Sequence, residues 1–201
     1  MNYNTYFSVE IESFLNEKDK NEIENKSNDF QQKRKTGEND NYICQLIRND
    51  LIDEFISYVN KKSIFLSTTV DQSIFETNLF LIKRNPTLIE YASFFGSVQI
   101  FRYLYLNGVS LTPSLWIYAI HGNNPELISH LEELHLLPQD LSYKKCLIES
   151  IKCHHIEITD YILDNYIENY SLNDIDAISN IIKYYNFAFL TSKLENDDCF
   201  Y

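Results

Sequence analysis

Glycine, proline and alanine are all scarce in this 201-residue chain, at 4 residues each. So few glycines hardly permit a loop that cradles phosphate, and none of the patterns G-x-x-x-x-G-K-S/T, G-x-G-x-x-G or G-x-S-x-G occurs. A P-loop, a dinucleotide fingerprint and a nucleophile elbow are excluded on that ground. No run of about 18 apolar residues exists, so no membrane span is expected. The opening residues Met1-Asn2-Tyr3-Asn4-Thr5 lack the basic-then-apolar layout of a secretory signal. Cys44, Cys146, Cys153 and Cys199 are too few for the disulfide framework of a secreted scaffold. Reduced thiols in an intracellular, cytoplasmic protein are the expectation.

What the chain does have is bulk. Tyr (15), Phe (13) and 24 Ile imply a core built from aromatic and branched side chains. Apolar residues make up 44% and charged residues 23%, which is ordinary globular usage and not that of a disordered chain. The net charge is −12, and residues 111–201 hold −9 of it, with 14 acids against 5 bases. Nucleic-acid binding needs clustered Lys and Arg to displace counterions, so an acidic half disfavours a nucleic-acid partner. The basic run Lys33-Arg34-Lys35 is short and lies among acids, and it reads as a solvated face.

Periodicity then divides the chain. Residues 1–40 are polar, and the spacing of Ile11, Phe14, Leu15, Ile23 and Phe30 predicts a weakly amphipathic helical segment with a break near Lys35-Thr36-Gly37. From Asn41 helical apolar spacing is dense, first in Ile43, Leu46 and Ile47, then in Ile52, Phe55, Ile56 and Val59. Residues 61–86 read as an extended connection with one short helix. After that, short helices come in pairs: 87–95 with 98–106, one starting at Pro113-Ser114 with one starting at Asn124-Pro125-Glu126, 142–152 with 156–167, and a fainter 175–185 with 187–194. Asn124, Pro125 and Glu126 suit a cap, a first turn and the positive end of a helix dipole in that order. Helix pairs at a near-regular period predict an all-α solenoid of stacked antiparallel pairs over residues 41–194, with 195–201 as a tail.

The stretch Thr87-Leu88-Ile89-Glu90-Tyr91-Ala92-Ser93-Phe94-Phe95-Gly96 resembles the first helix of an ankyrin repeat, with Thr87, Ile89, Ala92 and Gly96 matching. Asn107-Gly108-Val109-Ser110-Leu111 resembles the turn after the second helix. Pro113 to Gly122 aligns through Leu115, Ala119 and Gly122, and Cys153 falls where a further glycine would stand. Residues 41–165 are similar to a divergent ankyrin-type domain of large protein families in parasitic protists. The pattern's hydrogen-bonding His is Glu90 in one unit and Trp116 in the next, and the distance from Gly96 to Gly122 is too short for the usual β-hairpin finger. The resemblance implies an irregular, mainly helical ankyrin-like solenoid that binds another protein and performs no catalysis. It also implies that the two residues before each closing glycine face the groove: Phe94 and Phe95, Ile120 and His121, Ile151 and Lys152.

Other chemistries are weaker on the residues. Cys146 and Cys153 share a helix face but stand two turns, roughly 10 Å, apart, too far to hold one zinc, and His154 and His155 diverge; no metal and no cofactor are expected. A small Cys/His-dependent hydrolase or thiol enzyme is the enzymatic alternative, and a structural cap fragment of a larger repeat array is another. Glu132-Glu133 and Asp174/Asp176 read as solvated acids. Trp116, Tyr118, Tyr91 and Phe101 recur at helical spacing and read as core.

Overall fold

The computed structural model of the chain describes residues 28–167 and 175–196, which form twelve α-helices and no named strand. All-α architecture is therefore established for the described residues. They fall into two compact units, one made of the described residues up to 45 with 70–85, the other of 46–69 with the described residues from 86 on.

The first unit holds α1 (Asn28–Thr36), the start of α2 (Tyr42–Arg48) and α4 (Leu79–Arg84). The helix α1 stops where the sequence predicts, at Gly37, whose φ of +70° favours a residue without Cβ. Residues 70–85 return to this segment, so the unit is discontinuous in sequence. Asn39, 3% exposed, donates from Nδ2 to the Asp71 carbonyl (2.8 Å), and Thr77 donates from N–H and Oγ1 to the Gly37 carbonyl. Phe30 meets Phe75 edge-on at 5.2 Å. Local spacing carries no signal for contacts between residues some 32 to 45 positions apart. The expected helix positions before residue 28 and residues 197–201 of the expected tail lie outside the described residues, while residues 195 and 196 of that tail are helical.

The second unit contains the end of α2, then α3 (Ile52–Lys62) and four further pairs. These are α5 (Leu88–Phe95) with α6 (Val98–Leu106), α7 (Leu115–His121) with α8 (Pro125–Glu133), α9 (Lys144–Lys152) with α10 (Ile156–Tyr166), and α11 (Ile175–Lys183) with α12 (Phe187–Asn196). Caps account for several starts. Thr87 and Glu90 form a reciprocal capping box on α5, and Asn124 accepts the Glu126 and Leu127 N–H groups ahead of α8.

One backbone device recurs at each joint. Asp50, Gly96, Asn123, His154 and Tyr185 have positive φ, and each precedes the residue that opens the second helix of its pair. The residue after it donates its N–H five residues back at four of the joints: Leu51 to Leu46, Ser97 to Ala92, His155 to Ser150 and Asn186 to Ile181, all at 2.9–3.1 Å. This closes the orphan carbonyls of the ended helix in a Schellman arrangement. The true equivalents of Gly96 are therefore Asn123 and His154, one residue beyond Gly122 and Cys153. Gly122 itself has φ −70°, so its glycine identity has another cause: a Cβ there would sit 2.6 Å from the Phe94 carbonyl oxygen.

Successive pairs are stitched to one another by side chains at the same joint. Ser97 Oγ donates to the Ile47 carbonyl (2.5 Å), Asn124 Nδ2 to that of Gly96 (3.2 Å) and Asn186 Nδ2 to that of Ile151 (2.8 Å). Asp50 accepts the N–H groups of Gln99 and Ile100, both at 3.0 Å, at the start of α6. First helices pack on first helices, α5 on α7, α7 on α9 and α9 on α11. Between these layers Tyr91, Phe101, Trp116 and Tyr118 are buried, as their spacing predicts. Ser114 Oγ donates to Glu90 (2.6 Å), and the Trp116 indole donates to the Leu136 carbonyl (2.6 Å).

Candidate functional site: a ridge at the ends of the first helices

The C-terminal turns of α2, α5, α7 and α9 bring a file of half-exposed side chains into contact. Arg48 lies over the Phe95 ring (5.8 Å to its centroid) while donating to the Tyr91 hydroxyl (2.9 Å). Phe95 meets Phe94 edge-on at 4.9 Å, and Phe94 stacks on the His121 imidazole at 5.6 Å with 27° between planes. His121 Nε2 lies 2.6 Å from Glu149 Oε1, and its Nδ1 lies 3.5 Å from Cys153 Sγ. Lys152 Nζ donates to the same Glu149 oxygen at 2.7 Å.

Of the six residues placed here from sequence, four belong to this ridge and two do not. Phe94, Phe95 and His121 are half-buried and Lys152 is exposed, but Ile120 and Ile151 are buried at 0% and 1% exposure. The reason is the one-residue shift of the joint. Counting back from the positive-φ residue, Ile120 and Ile151 occupy the position of Ser93, which faces the neighbouring first helix and is fully buried. Their places on the ridge are taken by Gly122 and Cys153. A helix turns about 100° per residue, so a register error of one exchanges a core position for a surface one.

Glu149 and Cys153 are four residues apart on α9, hence on one face, and His121 comes from the adjacent α7. This meeting was invisible in sequence, since 28 residues separate His121 from Glu149. Burial alone would raise the Glu149 pKa, but hydrogen bonds from His121 and Lys152 outweigh it and bring the carboxyl down to about 2. The folded value lies below the ordinary 4.5, so this ionised carboxylate stabilises the fold at neutral pH, and that contribution disappears as pH falls through 4.5 towards 2. Glu149→Gln should cost about 1.5–3 kcal/mol at pH 7, the range for hydrogen bonds to a charged group. The difference from wild type, measured by urea denaturation at a series of pH values, should shrink across that window. A gap that stays constant down to pH 2 would contradict the assignment.

The cysteines behave as buried groups. Burial, then the nearby carboxylates of Asp140 and Glu149, pushes the Cys146 thiol up to about 12. Burial and the Glu149 charge push Cys153 up to about 11 against the opposing Lys152 ammonium. Cys153 also caps the C-terminal end of α9, where the helix dipole disfavours a thiolate.

The acidic face is occupied by the protein itself. Glu132 accepts the Tyr161 hydroxyl on both oxygens (2.8 and 2.9 Å) and the Tyr166 hydroxyl as well. Its neighbour Glu133 bonds His130 at 3.0 Å, so the two carboxylates do not act as a pair. The side chains of Asp174 and Asp176 lie outside the described residues. No described helix is long and apolar enough to cross a membrane. No family model, curated protein or solved structure matches this chain.

Proposed function

We propose that this chain is a non-catalytic protein-binding module, an irregular ankyrin-like solenoid of stacked helix pairs that meets its partner along the ridge Arg48, Phe95, Phe94, His121 and Lys152. The observation that carries the reading is the unbroken run of ring and charge contacts crossing successive pairs at one end of the first helices. Each of these side chains also contacts another side chain of the molecule. Aromatic and Arg side chains are frequent anchors of an interface, and side chains already in contact before binding lose less entropy when a partner docks. The side-chain stitches between pairs support the solenoid reading, and the substitutes for the family histidine, Glu90 and Trp116, support its irregular form. The partner is a protein, and the net charge of −12 argues against nucleic acid.

The test uses a photo-crosslinking amino acid at position 95 in the full chain. A protein crosslinked there should lose at least roughly fivefold in affinity, or about 1 kcal/mol, with Phe94→Ala and retain it with Leu106→Ala, a 79%-exposed residue on a second helix. Equal retention in both variants rejects the ridge as the binding surface.

A thiol-enzyme reading gains one specific observation, the file Cys153–His121–Glu149 with an imidazole between thiol and carboxylate. A nucleophilic cysteine needs a thiolate, and both burial and the α9 C-terminus oppose one at Cys153. Iodoacetamide should therefore alkylate Cys153 in the folded chain more slowly than a free thiol at pH 7. Alkylation faster than free cysteine would favour the enzyme.

A further inference from the structure

We infer that His121, Glu149 and Cys153 form a binding site for a single zinc-class divalent ion, with a ring nitrogen, a carboxylate oxygen and a sulfur as its three protein ligands. These three ligand atoms lie within 4.8 Å of one another. The shortest sulfur approach, Cys153 Sγ to His121 Nδ1, is 3.5 Å. Two ligands on one tetrahedral zinc, with bonds of about 2.0–2.3 Å, stand roughly 3.4–3.6 Å apart. Glu149 Oε1 meets the other ring nitrogen, Nε2, at 2.6 Å, so closing on one ion takes rotation of the His121 and Glu149 side chains until one ring nitrogen and the carboxylate face the same point as Cys153 Sγ.

The scaffold suits the task. Glu149 and Cys153 are supplied by one helix at the i, i+4 spacing that puts two ligands on one face. The third ligand is held from two sides, by Phe94 stacked on the His121 ring and by the packing of α7 on α9. All three residues are neither fully buried nor fully exposed, so an ion can reach them. The donor set of sulfur, nitrogen and carboxylate oxygen suits a borderline-soft ion and disfavours Mg2+ or Ca2+, which take all-oxygen sites. On binding, the Cys153 thiol becomes a zinc-bound thiolate and its proton leaves to solvent. The fourth position of the tetrahedron then belongs to water.

Lys152 is the competitor. Its ammonium occupies Glu149 Oε1 at 2.7 Å, and its side chain is 41% exposed, so it can swing into solvent when a cation arrives. Zinc should therefore bind against this ammonium and bind better without it.

The experiment is titration of the full chain with Co2+, then Zn2+ as displacer, with Zn2+ affinity read by calorimetry. The expected result is one ion per chain, tetrahedral visible bands and a near-ultraviolet sulfur-to-cobalt band. Cys153→Ser should abolish the sulfur band, while Cys146→Ala and Cys199→Ser keep it. His121→Asn should weaken Zn2+ binding by more than the 10–100-fold that losing an outer-shell partner costs. Lys152→Ala alters an exposed residue, leaves the fold intact and should tighten Zn2+ binding several-fold. Far-UV circular dichroism checks each variant's fold. Absence of a tetrahedral cobalt spectrum, a sulfur band that survives Cys153→Ser, or unchanged Zn2+ affinity in Lys152→Ala would each overturn the assignment.

Discussion

Trp116→Ala should unfold far more readily than wild type, losing about 3–5 kcal/mol, the range for removing a large buried aromatic. Trp116 is fully buried and its ring meets Tyr143 edge-on at 5.1 Å and Tyr166 at 6.1 Å. Those two tyrosines in turn stack face to face at 3.9 Å. Deleting the indole leaves a void that this locked aromatic set cannot close, because Tyr166 is tied to Glu132 and Tyr161 is tied to the same carboxylate. It also strands the Leu136 carbonyl, which accepts the indole N–H. Trp116→Phe separates the two losses: it keeps most of the ring volume and drops the hydrogen bond, for roughly 1–2 kcal/mol. Urea denaturation followed by far-UV circular dichroism checks both, since the alanine variant lacks the chain's single tryptophan and cannot be followed by its fluorescence. A loss below about 1 kcal/mol in Trp116→Ala would mean that the stack around it does not support the fold.

Gly122→Ala comes second, at about 3 kcal/mol, although the change adds one methyl group. Its backbone is ordinary, with φ −70° and ψ −11°, so no conformational strain is involved. The cost is steric. The added carbon would stand 2.6 Å from the Phe94 carbonyl oxygen, 2.9 Å from that of Ser93 and 3.1 Å from the Phe94 carbonyl carbon. Those are backbone atoms at the end of α5, which cannot rotate aside as a side chain would, so α7 must move away from α5. Overpacking of this kind costs about 1–3 kcal/mol, and backbone partners put it at the upper end. Gly108→Ala is the control with the opposite cause. Its φ is +83° and nothing lies within 4 Å of where an added Cβ would stand, so only the left-handed penalty of about 1–2 kcal/mol applies. If the two variants lose the same stability, close approach of α5 and α7 is not what selects glycine at 122.

Those two glycines show where sequence reading reached and where it stopped. Helix positions were legible because their causes are local. The 3.6-residue spacing of Ile, Leu and Phe, the Thr87/Glu90 box and the Asn124-Pro125-Glu126 start each act within one or two turns. So was the core, since Tyr91, Phe101, Trp116 and Tyr118 are too large and apolar to leave in water at that spacing. The joints were not. Glycine marks a left-handed residue by preference only, and here Asp50, Asn123, His154 and Tyr185 adopt positive φ while Gly122 does not. Reading Gly122 and Cys153 as the joint moved the register by one residue and put Ile120 and Ile151 on the surface, when packing against the next first helix buries them.

Propensity, capping and periodicity act between near neighbours, and they account for the helicity of the described residues, for where most of those helices start and for which aromatics fill the layers. Packing between helices sets the rest: that residues 70–85 join the segment up to residue 45, which face of each first helix is covered, and that His121 meets Glu149 and Cys153. Those outcomes depend on how closely one helix lies against the next. That distance is set by steric limits such as the bare Cα of Gly122 and by side chains such as Asn124 and Asn186 reaching the carbonyls of another turn. Partners some thirty residues apart leave no periodic trace in the chain, and stacking alone brings them together.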